Sequence, residues 1–230
     1  MMTHATTIVW LEHLDALTGG LFLLAAFGLV ATRQIEGCLR LFIASSVLLA
    51  TSALFLSVID GEWHLVVVSG VDLVTKAVII PRLLRRLLRG EVSARREVQQ
   101  VLNIPSALLL ALGLAIAGFL FAARLLPPDG EAPIGIHLPI GMASLLVGLL
   151  TASVRREALP LFLGLLAMEN AAFFAGIGVA PELPLVAEVS IAFDVLMLVF
   201  VVGVLTRAVQ EHVGTTEVGA LTVLREEPPQ

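Results

Sequence analysis

The sequence predicts an all-α, polytopic membrane bundle of about seven transmembrane helices, and three observations lead there. The chain of 230 residues is 58% hydrophobic and 14% charged, with a mean hydropathy of +0.98, whereas soluble domains run near a quarter charged. Apolar windows of roughly 20 residues, the length a spanning helix needs, recur along almost the whole chain. The basic residues gather in alternate connections, as cytoplasmic loops do under the positive-inside rule.

The windows fall at 9–32, 40–59, 64–87, 105–126, 136–153, 158–179 and 184–206. The chain starts with no basic region ahead of its first apolar run, so the first window is expected to stay as a span rather than be removed as a signal. Glu12, His13 and Asp15 lie near its outer end and are expected at the interface. The second window ends at Asp60-Gly61-Glu62, a turn signal. The third runs into an Arg-rich connection, 82–103, whose arginines 82, 85, 86 and 89 stand at i, i+3, i+4 and i+7 with leucines opposite, an amphipathic helix at the cytoplasmic interface. His64 and His137 open the third and fifth windows and are expected at the outer interface. Arg155-Arg156-Glu157 separates the fifth from the sixth, and Ala180-Pro181-Glu182 the sixth from the seventh, before a short tail at 208–230.

Because nearly all the connections are short, sequential helices are expected as antiparallel neighbours in a single transmembrane domain covering 1–230. Arg33, Arg40, the arginines of 82–96, Arg155, Arg156, Arg207 and Arg225 fall on one side, and only Arg124 flanks the other. Asp60, Glu62, Asp129, Glu131 and Glu182 fall on the other, which puts the N-terminus outside and the C-terminus in the cytoplasm.

Several chemistries are disfavoured. Seven spans leave no room for a soluble catalytic domain, and no nucleic-acid partner is indicated. Cys38 is the single cysteine and supplies no iron–sulfur or zinc ligand set by itself. No Gly-rich phosphate loop occurs, and helices with short loops are not expected to assemble a Ser-His-Asp arrangement. All five histidines lie near span ends or outside, which argues against haem ligation within the bilayer. No cofactor, no metal and no active site of its own is expected in this chain.

What stands out is charge where the bilayer should exclude it. Ionisable groups in spans are costly and mark pathways. Lys76, the one lysine of the chain, sits mid-way along the third window with Asp72 one turn earlier on the same helix face. Pro81 follows, and its missing N–H is expected to free the Ala77 carbonyl and kink the helix beside the charge. Glu169 and Asn170 lie near the centre of the sixth window, amid Gly164, Ala167, Ala171 and Ala172, which permit close helix packing. Glu188 and Asp194 lie in the seventh. Lys76, Glu169 and Asp194, with Asp72, Asn170 and Glu188, are therefore candidates for a proton relay. The competing reading is a set of fixed ion pairs, with Lys76 held by Asp72 or by Glu169.

These residues carry a resemblance. Thr75-Lys76 followed by Pro81, Met168-Glu169-Asn170, Ala192-Phe193-Asp194, and the tail 214–224 ending in Leu-Thr-x-Leu resemble the hydrogenase-4 component E family, a membrane subunit of formate hydrogenlyase-type complexes. The last two windows are also similar to the K subunit of bacterial complex I and its relative in multisubunit Na⁺/H⁺ antiporters. That pattern places a glutamate where Leu166 stands here, and Glu169 follows three residues later on the same helix face, about 4.5 Å along the axis; the second glutamate maps near Asp194.

The resemblance implies a subunit of the bacterial cytoplasmic membrane, beside large antiporter-like subunits and a peripheral hydrogenase or dehydrogenase arm that holds the redox groups. This chain would relay protons, or Na⁺, at mid-membrane. Two alternatives stand beside it: an assembly subunit whose charges are structural, and an independent transporter of a small solute.

Overall fold

The structure is a computed structural model that describes residues 2–61, 63–88, 101–126, 132–156 and 158–179, with Val199 and Gly203 besides. The chain divides into two compact units, Met1–Ile191 and Ala192–Gln230, and apart from Val199 and Gly203 the described residues belong to the first. The seventh window, with Glu188 and Asp194, most of the Arg-rich connection and the tail lie outside the described residues.

The described residues form helices α1 (Met2–Ala31), α2 (Ile35–Asp60), α3 (Trp63–Leu73), a π-helical segment (Val74–Ile79), α4 (Ile80–Leu88), α5 (Ile104–Leu125), α6 (Ala132–Val154) and α7 (Ala158–Val179). Five stretches are long and apolar enough to cross a membrane: Thr7–Ala31, Ile35–Ile59, Ile104–Leu125, Gly135–Val154 and Pro160–Val179. These are the proportions of a multi-pass membrane protein. The third window is not among the five. Asp72, Lys76 and the arginines of α4 break its apolar run, and its helix changes pitch midway.

The helix ends follow from local chemistry. Gly61 closes α2 in the left-handed region at φ 76°, a conformation that costs a glycine nothing. Pro105 occupies the first turn of α5, where its missing N–H has no intrahelical partner to lose.

Small residues set the packing. α5 turns Ala107, Ala111, Ala115, Gly118 and Ala122 inward and leaves Leu109 and Leu120 70% and 64% exposed, the inverse of a soluble helix and suited to lipid. A Cβ at Gly118 would meet the Ala143 backbone at 2.7 Å. Along the antiparallel α6–α7 pair, Gly141 faces Ala175, Gly148 faces Met168 and Gly164 faces Ala152, in one constant register. Without a strong hydrophobic drive between helices in lipid, this close backbone approach supplies the van der Waals contact that holds them. Two apolar clusters fill the bundle: Phe22, Leu49, Ala53, Leu56, Leu65, Phe173 and Phe174 among α1, α2, α3 and α7, and Ala26, Val30, Ala111, Ala143 and Val147 among α1, α5 and α6.

Candidate functional site: a buried lysine between two carboxylates

Between α2, α7 and the π-helical segment lies a charged cluster. Lys76 Nζ is 2.6 Å from Asp72 Oδ1 and 2.8 Å from Glu169 Oε1. The lysine is 0% exposed, Asp72 2% and Glu169 9%. The sequence spacing predicted the Asp72–Lys76 pair, and it weighed Glu169 as a substitute partner; the lysine takes both.

The π-helical segment makes this possible. Ser69, Asp72, Lys76, Ile80 and Leu84 are all buried, yet each four-residue step in an α-helix overshoots a full turn by about 40°. Over three such steps a regular helix would carry Leu84 well away from the face that holds Asp72. The wider turn absorbs the surplus: Ile80 N–H donates to the Thr75 carbonyl, five residues back. Pro81 follows closely, so the distortion expected there takes the form of a π turn that ends at Ile79, two residues before the proline. Arg82 and Arg85 of α4 point outward while Leu84 points in, the amphipathic pattern the sequence predicts.

Asn170, beside Glu169, donates through Nδ2 to Ser46 Oγ at 3.0 Å and Ser45 Oγ at 3.3 Å. Both serine hydroxyls donate in turn to the Phe42 carbonyl. With the amide's donors spent on α2, its Oδ1 remains buried with no hydrogen-bond partner among the described residues. The structure thus brings Asp72, Lys76, Glu169 and Asn170 into one layer at the middle of the bundle.

A second polar cluster corrects the sequence reading. Asp15 and His137, expected at the outer interface, are buried together with Ser52. Ser52 Oγ donates to Asp15 Oδ1 at 2.5 Å and lies 2.9 Å from His137 Nε2, which is itself 3.3 Å from Asp15 Oδ2. The types Ser, His and Asp therefore do meet, contrary to expectation. They do not form a nucleophilic triad, because that needs serine and aspartate on opposite ring nitrogens, and here both engage Nε2. Burial of His137 follows from Gly178 of α7, where any side chain would collide with the His137 ring. His137 does lie near a span end, as the third residue of the apolar stretch Gly135–Val154; what fails is its expected place at the interface, because its side chain is buried in the bundle. His13, by contrast, is exposed.

A helix-face signal could have revealed this cluster. Asp15 shares its face of α1 with Thr18, Gly19 and Phe22, and His137 shares its face of α6 with Gly141, Ser144, Gly148 and Thr151, at the i, i+3, i+4 and i+7 spacings of one stripe. At the opposite end of the bundle, Arg155 is buried and donates through Nη2 to the carbonyls of Leu29 at 2.6 Å and Thr32 at 2.8 Å. Cys38 Sγ is 3.5 Å from the same Thr32 carbonyl. Among the described residues, no group of three or more His, Cys, Asp and Glu is placed to hold a metal ion.

The chain is 28% identical over 212 residues to an uncharacterized protein of Mycobacterium tuberculosis, Rv0085, a match that covers 92% of this chain and 96% of that protein. No family model matches the chain, and no solved structure matches it. The similarity extends over nearly the full length of both chains.

Proposed function

We propose that this chain is a membrane-arm subunit of a hydrogenase-4-type or complex-I-like assembly, and that Lys76, Asp72 and Glu169 hold an exchangeable proton at mid-membrane. The observation that carries the reading is the contact of one buried ammonium with two buried carboxylates. With all three ionised, these groups by themselves carry one more negative than positive charge, a form that burial disfavours. A proton neutralises that charge, and a Na⁺ ion is the alternative occupant. Either way the site has a loaded and an unloaded state.

Each part suits that cycle. Lys76 fixes the two carboxylates on separate helices within reach of one another. The π turn supports the reading because such turns, which break the regular i→i−4 ladder, recur at functional sites. Asn170 adds a buried acceptor beside Glu169. Redox chemistry belongs to peripheral subunits in this reading, and this chain binds no cofactor; it has the seven spans and the outside N-terminus that the charge pattern indicates, with Asp194 of the last span as a further relay candidate. The arginines of α4 then face the cytoplasm, where they meet acidic lipid or the peripheral arm.

A structural reading is favoured by the same short contacts, since a fully buried ion triad also fixes helix register. The two part company at Glu169→Gln. That change leaves Lys76 and Asp72 as a balanced pair, so a purely structural triad loses little, whereas a relay loses its acceptor. The assay is a pull-down of the tagged chain from native membranes in mild detergent, with the co-purifying subunits identified by mass spectrometry, followed by coupled proton pumping in the purified assembly. Recovery of antiporter-like subunits with a metal-containing arm, and pumping abolished by Glu169→Gln, are the expected results. Recovery of the chain on its own, or pumping that persists in the variant, overturns the assignment.

A further inference from the structure

Asp15, Ser52 and His137 come from α1, α2 and α6, are buried by Phe174 and Gly178 of α7, and take no part in the Lys76 cluster. Both clusters touch α2 and α7, at different depths. On α2, the serines that hold Asn170 precede Ser52 by six or seven residues, about 10 Å of rise. On α7, Gly178 follows Asn170 by eight residues, about 12 Å, and Phe174 lies halfway on the same face. The layer between them is apolar: Phe22, Leu49 and Phe174 are each at most 2% exposed. Ser144 stands on the His137 face of α6, two turns on, in register with Ala172, two residues past Asn170 on α7. Its Oγ is buried and has no hydrogen-bond partner among the described residues.

We propose that Asp15, Ser52 and His137 form a second proton-exchange station in series with the Lys76 cluster, and that the Phe174 ring is the gate between them. The proposal rests on the relay reading above. Its chemistry follows from the serine. Ser52 has one hydrogen, and it goes to Asp15 Oδ1; the 2.9 Å contact to His137 Nε2 then requires the ring nitrogen to donate. From the imidazolium form, the Nε2–H bond breaks as an O–H bond forms at Ser52, while the serine's own O–H bond breaks as one forms on the Asp15 carboxylate. One proton moves from imidazolium to carboxylate, an ion pair becomes a neutral pair, and no heavy atom needs to travel.

The gate is coupled to the station by contact. His137 stacks on Phe174 with centroids 4.7 Å apart and an interplanar angle of 28°, and Phe174 stacks on Phe22 at 4.7 Å and 9°. A charged imidazolium is attracted to an aromatic face more strongly than a neutral ring is. With the proton on the His137 ring the station therefore holds Phe174 in place, and with the proton passed to Asp15 it releases Phe174 toward Ser144, opening a polar step across the apolar layer.

The test uses native membrane vesicles carrying the full chain, with proton movement followed by a pH-sensitive dye under an imposed potassium diffusion potential. Glu169→Gln, His137→Gln and Ser52→Ala are each expected to lower chain-dependent proton conductance at least tenfold, and Phe174→Ala to raise it severalfold. Ser52→Ala removes the one hydroxyl that carries the transfer and adds neither bulk nor charge, so it answers even where His137→Gln fails to accumulate. Conductance lost in Glu169→Gln but intact in Ser52→Ala and His137→Gln overturns the second station and spares the relay. Conductance unchanged in all three overturns the relay and this inference together, as does a wild-type conductance no greater than that of membranes lacking the chain. An unchanged Phe174→Ala conductance overturns the gate.

Discussion

Arg155 and Lys76 are both buried cations, and they are held in different ways. Arg155 donates to the carbonyls of Leu29 and Thr32, at the C-terminal end of α1, where the helix leaves its last acceptors unsatisfied and its dipole is negative. Its guanidinium keeps its charge throughout, so the contact is a permanent cap that ties α6 to α1. Lys76 sits between two carboxylates, groups whose charge changes with a proton. A buried charge in a membrane bundle is thus no single signal: its partners separate a clamp from a site with two states.

The largest way to break that contrast is Lys76→Met. It leaves Asp72 and Glu169 buried without their cation, and removing one member of a buried pair costs about 3–5 kcal/mol. The variant is expected to melt far below the wild type in detergent, and the triple variant with Asp72→Asn and Glu169→Gln to recover most of the loss. Arg155→Met comes next. Loss of its charged hydrogen bonds at about 1.5–3 kcal/mol each should lower the melting temperature while the proton conductance per folded molecule stays unchanged. A conductance defect would make Arg155 more than a clamp.

Gly141→Val tests the packing that positions both layers. The new side chain meets the backbone of Ala175 at the α6–α7 contact, and overpacking of this kind costs about 1–3 kcal/mol. A fall in thermal stability of that order is expected, with Gly70→Ala, where a Cβ meets nothing within 4 Å, as the neutral control. Glu169→Gln is expected to cost little stability, under about 1 kcal/mol, because Lys76 and Asp72 remain a balanced pair and the amide stands in for the protonated carboxyl. Its effect on proton movement is expected to be the largest of the series.

Much of this was legible in the sequence. The sixth window, 158–179, coincides with α7, and the Asp72–Lys76 pair follows from a spacing of four on one helix. Apolar run length and helical periodicity are local properties, so they survive without a structure. The third partner was less accessible. Glu169 is ninety-three positions from Lys76 in sequence, and only the meeting of α7 with the π turn brings them into contact. Pro81 signalled an irregular helix, but whether a proline gives a kink or a π turn depends on what the face must bury.

The Asp15, Ser52 and His137 cluster was hidden for a different reason. Two of its members stand near the starts of apolar windows, where position suggests an interface, and helix-end positions say nothing about which side of the helix faces the bundle. The stripe of glycine and serine on α6 did carry that information. Distance from a span end is the weaker guide; the residues above and below on the same face are the stronger one.

The central claim, that the Lys76 cluster exchanges a proton, is met most directly by pH-difference infrared spectroscopy of the purified full chain in lipid nanodiscs. The expected result is a protonated-carboxyl band that appears as the cluster loads and is absent in Glu169→Gln or Asp72→Asn, while Arg155→Met retains it. A spectrum with no carboxyl band that these two variants remove, in protein shown to be folded, would contradict the claim and leave the triad as a fixed ion pair.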